Sequence, residues 1–156
     1  MEVQKFILDD LEEAEITVGL LRLAKDIADY EFFFHTNRIN SFCFCRVDDL
    51  VVHGAYYDFF FPVFEGYSKD SKTCYRFIGN KSTESIQKKE ITELFAEEQN
   101  IKLLLNNQPD IDYIITTSDN IADFSLILLP ENLAFAIQEY PVTSESEFFH
   151  IIQYYE

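Results

Sequence analysis

The sequence offers few side chains of the kinds that carry out nucleophilic catalysis. Such chemistry needs a Ser, Cys or Thr beside a base, and the only imidazoles are those of His35, His53 and His150. None of the three lies in a recognised catalytic motif, and the glycine-rich motifs that bind phosphates or dinucleotides do not occur. We therefore predict no catalytic residue, no P-loop nucleotide hydrolysis and no cofactor.

Carboxylates and thiols are the groups that could hold a metal ion. Asp9-Asp10, Asp48-Asp49 and Asp112 could bind Mg²⁺ or act as an acid/base pair, but aspartates at the ends of strands are explained by turn chemistry. Cys43 and Cys45 would share one face of a strand, yet a structural zinc site needs about four ligands. We therefore predict no metal site, and the three cysteines form no disulfide framework.

An aromatic run gives the clearest candidate for a binding surface. The stretch Tyr56–Phe64 holds six aromatic residues in nine, and we expect its inner face to pack in the core. Its outer face, with Tyr57 and Phe59, would then be available to another protein or to a second copy of the chain. Asp112 and Tyr113, at the start of a later strand, complete the candidate interaction surface.

The net charge of the chain limits the classes of molecule that it is expected to bind. The chain has 12 Lys and Arg against 28 Asp and Glu, a net charge of −16, and Leu103–Glu156 contains nine acidic residues with no Lys or Arg. Binding to nucleic acid or to an anionic membrane needs clustered positive charge, so neither is expected. A basic protein would be attracted instead, and a homodimer is the alternative.

The pattern of apolar residues predicts the elements that would position these groups. We expect strands at Lys5–Leu8, Ile16–Leu23, Phe42–Val47, Tyr56–Phe64, Thr73–Ile78, Ile111–Thr117 and Leu133–Glu139. Helices are expected at Asp26–Arg38, which Asp26 would cap, at 82–100, and at Ile121–Leu129, which Ser118-Asp119 would cap; a last apolar segment is Phe148–Tyr155.

These elements predict a fold class. We expect residues 42–78 to form an antiparallel meander in which Pro62 marks an edge or a bulge, and Pro141 to lie in a turn. Residues 111–139 are expected to form a β-α-β unit. We therefore expect one α+β domain over residues 1–156, with a mainly antiparallel sheet and two or three helices packed on one face.

Several short motifs, in order along nearly the whole chain, resemble a family of small uncharacterised bacterial proteins named for an IPExxxVDY motif. They are Lys5-Phe6-Ile7-Leu8-Asp9-Asp10, Asp29-Tyr30 with Asn37, Phe64-Glu65, Asn80-Lys81 and Leu105-Asn106-Asn107-Gln108-Pro109-Asp110-Ile111-Asp112-Tyr113. The last keeps the second half of the naming motif as Ile-Asp-Tyr, whereas Asn106 and Asn107 replace its Pro and Glu. The resemblance implies no established activity.

The leading hypothesis is a cytosolic, non-enzymatic protein that binds another protein. The first ten residues lack the basic and apolar regions of a signal peptide, which favours the cytosol. An acidic mimic of nucleic acid is a variant of this hypothesis. The alternative, from a different class, is a small-ligand-binding or weakly catalytic domain with a pocket lined by the aromatic hairpin and by Asp112.

Overall fold

The fold is built around an antiparallel β-sheet, shown by a computed structural model that describes residues 15–90 and 100–154. The elements of the described residues are β1 (Glu15–Leu21), α1 (Asp29–Ile39), β2 (Phe44–His53), β3 (Tyr57–Ser68), β4 (Thr73–Gly79), β5 (Glu84–Gln87), β6 (Tyr113–Thr117), β7 (Gln138–Thr143) and α2 (Glu147–Tyr154). The strands follow the order β2-β3-β4-β6-β1-β7, with β5 beside β3, and all pairs are antiparallel. The α+β class and the mainly antiparallel sheet are confirmed.

The two helices in the described part of the chain cover opposite faces of the sheet. Successive strand residues point to opposite faces, and the neighbours Phe77 and Ile78 of β4 are both buried, each in a different core cluster. Phe32 and Phe33 of α1 pack in the cluster of Phe77, whereas Phe148 of α2 packs in the cluster of Ile78. The expectation that all helices pack on one face is therefore wrong, because a sheet that is apolar on both faces needs a cover on each.

The sheet changes its pairing at Pro62, in the middle of β3. Val63–Ser68 pairs with β4, whereas Tyr57–Phe60 pairs with β5. On the other side of β3, Asp48 and Asp49 of β2 form a bulge opposite Pro62. Proline has no N–H to donate, which removes a ladder bond on one side of β3 only; the pairing with β2 and the pairing with β4 nevertheless both change at this residue. Pro62 thus lies at a bulge, one of its two predicted settings, and Asp48-Asp49 interrupts a single long strand.

Most other predicted strands are confirmed with shifted ends. Those at Ile16–Leu23, Phe42–Val47, Tyr56–Phe64, Thr73–Ile78 and Ile111–Thr117 correspond to β1, β2, β3, β4 and β6. The strand predicted at Leu133–Glu139 is displaced to β7, and Pro141, expected in a turn, lies within β7 at the edge of the sheet. Lys5–Leu8 lies outside the described residues.

Of the three predicted helices, only the first is confirmed within the described residues. The first is confirmed as α1, but Ala28 precedes it as N-cap and no side chain caps it, so the predicted role of Asp26 is wrong. The helix predicted at 82–100 is wrong at its start, because Glu84–Gln87 forms β5; residues 91–99 lie outside the described part. Ile121–Leu129 forms no helix, which also removes the predicted β-α-β unit.

Candidate functional site

The structure separates the four residues of the predicted interaction surface. Asp112 and Tyr113 lie together before and at the start of β6, where both line a cleft. Tyr57 and Phe59 lie on β3 and belong to the core that α2 covers: Phe59 is 3% exposed and Tyr57 is half-buried against it. Phe59 is therefore a core residue, which corrects the expectation that its ring meets a partner. Residues two apart share a face of a strand, and this face is covered.

The Asp112 cleft is an open cavity of about 460 Å³ where β1, β4 and β6 end or begin. It is bounded by the β1–α1 connection, the stretch after β4 and the loop that leads into β6. Its lining residues are Leu23, Lys25, Asp26, Ile27, Asp29, Pro62, Gly79, Lys81, Thr83, Leu103, Pro109, Ile111, Asp112 and Tyr113. The alternative hypothesis expected a pocket formed by Asp112 and the aromatic run; from that run only Pro62 lines the cleft.

Two rigid contacts shape the cleft. A Cβ at Gly79 would lie 2.7 Å from Pro62 Cγ and 2.9 Å from Pro62 Cδ, so only glycine allows this approach. Tyr113 is buried, and its hydroxyl donates a hydrogen bond to Asp29 Oδ1. That bond joins the start of β6 to the first turn of α1 across the cleft.

Asn80 fixes the loop that leads into β6. Its side chain is fully buried; Oδ1 accepts from the Leu105 N–H at 2.9 Å, and Nδ2 donates to the carbonyls of Gln108 at 3.0 Å and Ile111 at 3.2 Å. Its backbone N–H donates to the Asp112 carbonyl at 3.0 Å. One buried amide therefore holds both ends of the loop beside β4.

The ionisable groups of the cleft are perturbed by burial. Burial raises the pKa of Tyr113 far above its usual value, and the hydrogen bond to Asp29 raises it further, so the hydroxyl stays a donor at neutral pH. Burial also raises the pKa of Asp112, opposed by the Leu23 N–H, which donates to Oδ2 at 2.7 Å, and assisted by the carboxylate of Asp26.

The described residues show no arrangement typical of a metal site. Among them, no three His, Cys, Asp or Glu side chains lie close enough together to hold an ion. Cys43 and Cys45 are exposed free thiols, and burial raises the pKa of the half-buried Cys74. Neither described helix has the length and apolar composition needed to cross a membrane.

A second candidate surface lies along residues 118–137, which connect β6 to β7 without a helix or strand. Ser118 and Asp119, the predicted helix cap, bond instead to β4: Ser118 Oγ accepts from the Cys74 N–H at 2.9 Å, and Asp119 accepts from the Thr73 hydroxyl at 2.8 Å. The segment is anchored by buried apolar side chains, which are Phe124, Ile127, Leu133 and Ala134. It also exposes Ile121, Leu126, Leu128 and Phe135, each between 47% and 85%. A long connection without regular structure commonly carries function in a compact domain.

Next to this segment runs a shallow cavity of about 370 Å³, which we call the acidic groove. Its lining residues are Asp123, Phe124, Ser125, Ile127, Leu128, Leu129, Ala136, Ile137 and Glu139. Asp123 and Glu139 are the ionisable side chains that the described residues contribute to this lining, so this part of the groove is apolar with two carboxylates and no cation. Hydrogen bonds from the Ser125 hydroxyl at 2.6 Å and N–H at 3.0 Å lower the pKa of Asp123 and keep it ionised.

The acidic groove is not among the predicted site residues. Its position depends on Asn40 at the end of α1, whose side chain exchanges two hydrogen bonds of 2.8 Å with the backbone of Leu128. Gly19 of β1 leaves room for Ile137, whose Cγ2 would lie 2.7 Å from a Cβ at that position. The sequence signal for an acidic surface here is the absence of Lys and Arg after Lys102. It does not indicate a groove, because the sequence predicts a helix at Ile121–Leu129.

Comparison with known proteins gives no relative. No protein-family model matches the chain, and neither curated proteins nor solved structures give a match. The resemblance to the IPExxxVDY family therefore stays a prediction. Asp29, Lys81, Asp112 and Tyr113, which come from three separate motifs of that resemblance, nevertheless all line the Asp112 cleft.

Proposed function

We propose that this chain is a cytosolic, non-enzymatic interaction protein that binds a basic segment of another protein in the acidic groove. The observation that carries the proposal is the groove's lining, in which the described residues supply six apolar side chains with Asp123 and Glu139 and no Lys or Arg. A Lys or Arg side chain has the complementary structure, an aliphatic stem with a positive end. The stem would lie along the apolar wall while the charge reaches a carboxylate.

Long-range electrostatics favours the same partner. The net charge of −16 attracts a basic segment and increases its rate of encounter. A second copy of the chain carries the same charge and is repelled, which makes a homodimer the weaker alternative. The three free cysteines are compatible with the reducing environment of the cytosol.

The proposal is tested with two synthetic peptides of equal length, one alternating Lys and Leu and the other alternating Glu and Leu. Binding to the whole protein is measured by fluorescence anisotropy at low and moderate salt. We expect the Lys-Leu peptide to bind, and to bind more weakly as salt rises, because salt screens exposed charges over about 10 Å at 0.1 M. Equal binding of the Glu-Leu peptide would refute the charge assignment.

Variants separate the groove from the overall negative charge. The double variant Asp123→Asn with Glu139→Gln should weaken Lys-Leu binding by roughly 2- to 30-fold, since each exposed ion pair contributes about 0.2–1 kcal/mol. The control is Glu131→Gln, an exposed acid of residues 118–137 that does not line the groove. If the Glu131 variant loses as much affinity per charge as the double variant, binding is unspecific and the groove is not the site.

A further inference from the structure

The Asp112 cleft carries charges of both signs that the described protein leaves uncompensated. Lys25 and Lys81 line it, and neither takes part in an ion pair within residues 15–90 and 100–154. Asp29 and Asp112 each hold one carboxylate oxygen in a bond to the protein, to the Tyr113 hydroxyl and the Leu23 N–H. Among the described residues the second oxygen of each accepts no hydrogen bond, so both carboxylates are oriented and available.

The apolar part of the lining comes from Leu23, Ile27, Pro62, Leu103, Pro109 and Ile111, and polar and apolar atoms share the exposed surface of the cleft about equally. A volume of about 460 Å³ falls within the range of about 300–1,000 Å³ usual for sites of small molecules. Sites of this kind combine apolar walls with a few oriented polar groups, and this cleft is comparatively polar. The cleft therefore suits a small molecule that has both charged groups and an apolar part.

We propose that the Asp112 cleft binds a small zwitterion of the free amino-acid type, with its ammonium group at the carboxylates of Asp112 and Asp29 and its carboxylate at Lys81 or Lys25. A purely anionic ligand would be repelled by Asp26, Asp29 and Asp112, and a purely cationic one by the two lysines. A ligand with both charges satisfies both sets, while its side chain lies on the apolar walls. This inference is independent of the acidic groove and of its partner.

The structure supports a site that is formed before the ligand arrives. Asn80 is fully buried and holds the loop that carries Pro109 and Ile111, and Tyr113 ties β6 to Asp29. Pre-organised groups bind more tightly because less conformational entropy is lost on binding. Burial raises the pKa of Asp112, and a bound ammonium would favour its ionised form.

The test uses leucine as the zwitterion and two analogues that keep one charge each. Leucinamide has only the ammonium group, and N-acetylleucine has only the carboxylate. Binding to the whole protein is measured by titration calorimetry and by NMR shifts. We expect leucine to bind at least about tenfold more tightly than either analogue. If an analogue binds as tightly as leucine, the group that it lacks is not recognised; if leucine fails to saturate the protein at about 10 mM, the proposal is overturned.

Two charge variants assign the recognition to residues. Asp112→Asn should lower the affinity for leucine at least about tenfold, and Lys81→Gln should lower it in the same way. Asparagine keeps an oxygen that accepts from the Leu23 N–H, so this variant should remain folded, which its thermal unfolding checks. The matched control is Asp70→Asn, an exposed acid in the β3–β4 turn. An equal loss of leucine affinity in the Asp70 variant would overturn the assignment to the cleft.

Discussion

Replacing Asn80 by alanine should destabilise the fold through the loop that leads into β6. The change removes the three side-chain hydrogen bonds of 2.9–3.2 Å. The Gln108 carbonyl keeps a second donor, the Ile111 N–H at 3.3 Å, whereas within the described residues the Leu105 N–H and the Ile111 carbonyl keep none. A buried polar group without a partner costs about 1–3 kcal/mol. Because water entering the vacated space offsets part of this cost, we expect a loss of about 2–4 kcal/mol in the free energy of unfolding.

Urea unfolding measures this loss, and it should appear as a lower midpoint with an unchanged slope. Amide hydrogen exchange should accelerate most in residues 103–111, since Asn80 holds that loop directly. Asn80→Asp keeps the acceptor for Leu105 but places a carboxylate against two carbonyl oxygens, so its loss should be larger near neutral pH than at about pH 4. The control Asn132→Ala, at an exposed position, should stay within about 0.5 kcal/mol of the wild type. A comparably small effect of Asn80→Ala would refute the reasoning.

Two further changes test the rigid contacts of the cleft. Gly79→Ala places a methyl group against the Pro62 ring and should lower the free energy of unfolding, measured with urea, by about 1–3 kcal/mol. Combining it with Pro62→Ala should recover part of that stability. If the losses of the two single variants simply add in the double variant, the steric explanation is contradicted. Tyr113→Phe removes the hydrogen bond to Asp29 and should cost about 1–2 kcal/mol near neutral pH. Because folding raises the pKa of Tyr113, the contribution of its hydroxyl to the free energy of unfolding is present below about pH 10 and is lost as the pH rises further. The Phe variant should therefore lose less stability than the wild type between about pH 9 and 12. Identical stability profiles of the two proteins over this range would contradict the assignment.

The strands that the sequence predicted well have a pattern that any covered sheet would bury. The segment Thr73–Ile78 is rich in β-branched and aromatic residues, which favour strands. It lies in β4, and both faces of that strand are packed. Glu84–Gln87 has no such pattern and resembles an exposed helix. It becomes β5 because Pro62 ends the pairing of β4 and leaves the first half of β3 with an open edge. That edge exists only once the meander has formed, so local sequence could not reveal it.

The segment Ile121–Leu129 shows the same limit at the candidate site. Its apolar spacing is compatible with a helix, but contacts from elsewhere hold it in an irregular path. The Tyr75 hydroxyl donates to the Asp123 carbonyl at 2.8 Å, and the Asn40 side chain satisfies both backbone groups of Leu128. These bonds replace the ones that a helix would have made, and they place Asp123 at the acidic groove.

The sequence by itself determined the α+β class, the mainly antiparallel sheet and the net negative charge of the chain. These follow from composition and from the local alternation of apolar residues, which do not depend on the rest of the fold. The tertiary structure alone decided that the helices cover opposite faces, that Phe59 is buried while Asp112 borders a cleft, and that Asp123 and Glu139 share a groove. Those properties arise from contacts between residues far apart in the chain, such as Asn80 with Ile111 and Tyr113 with Asp29, and no local pattern encodes them.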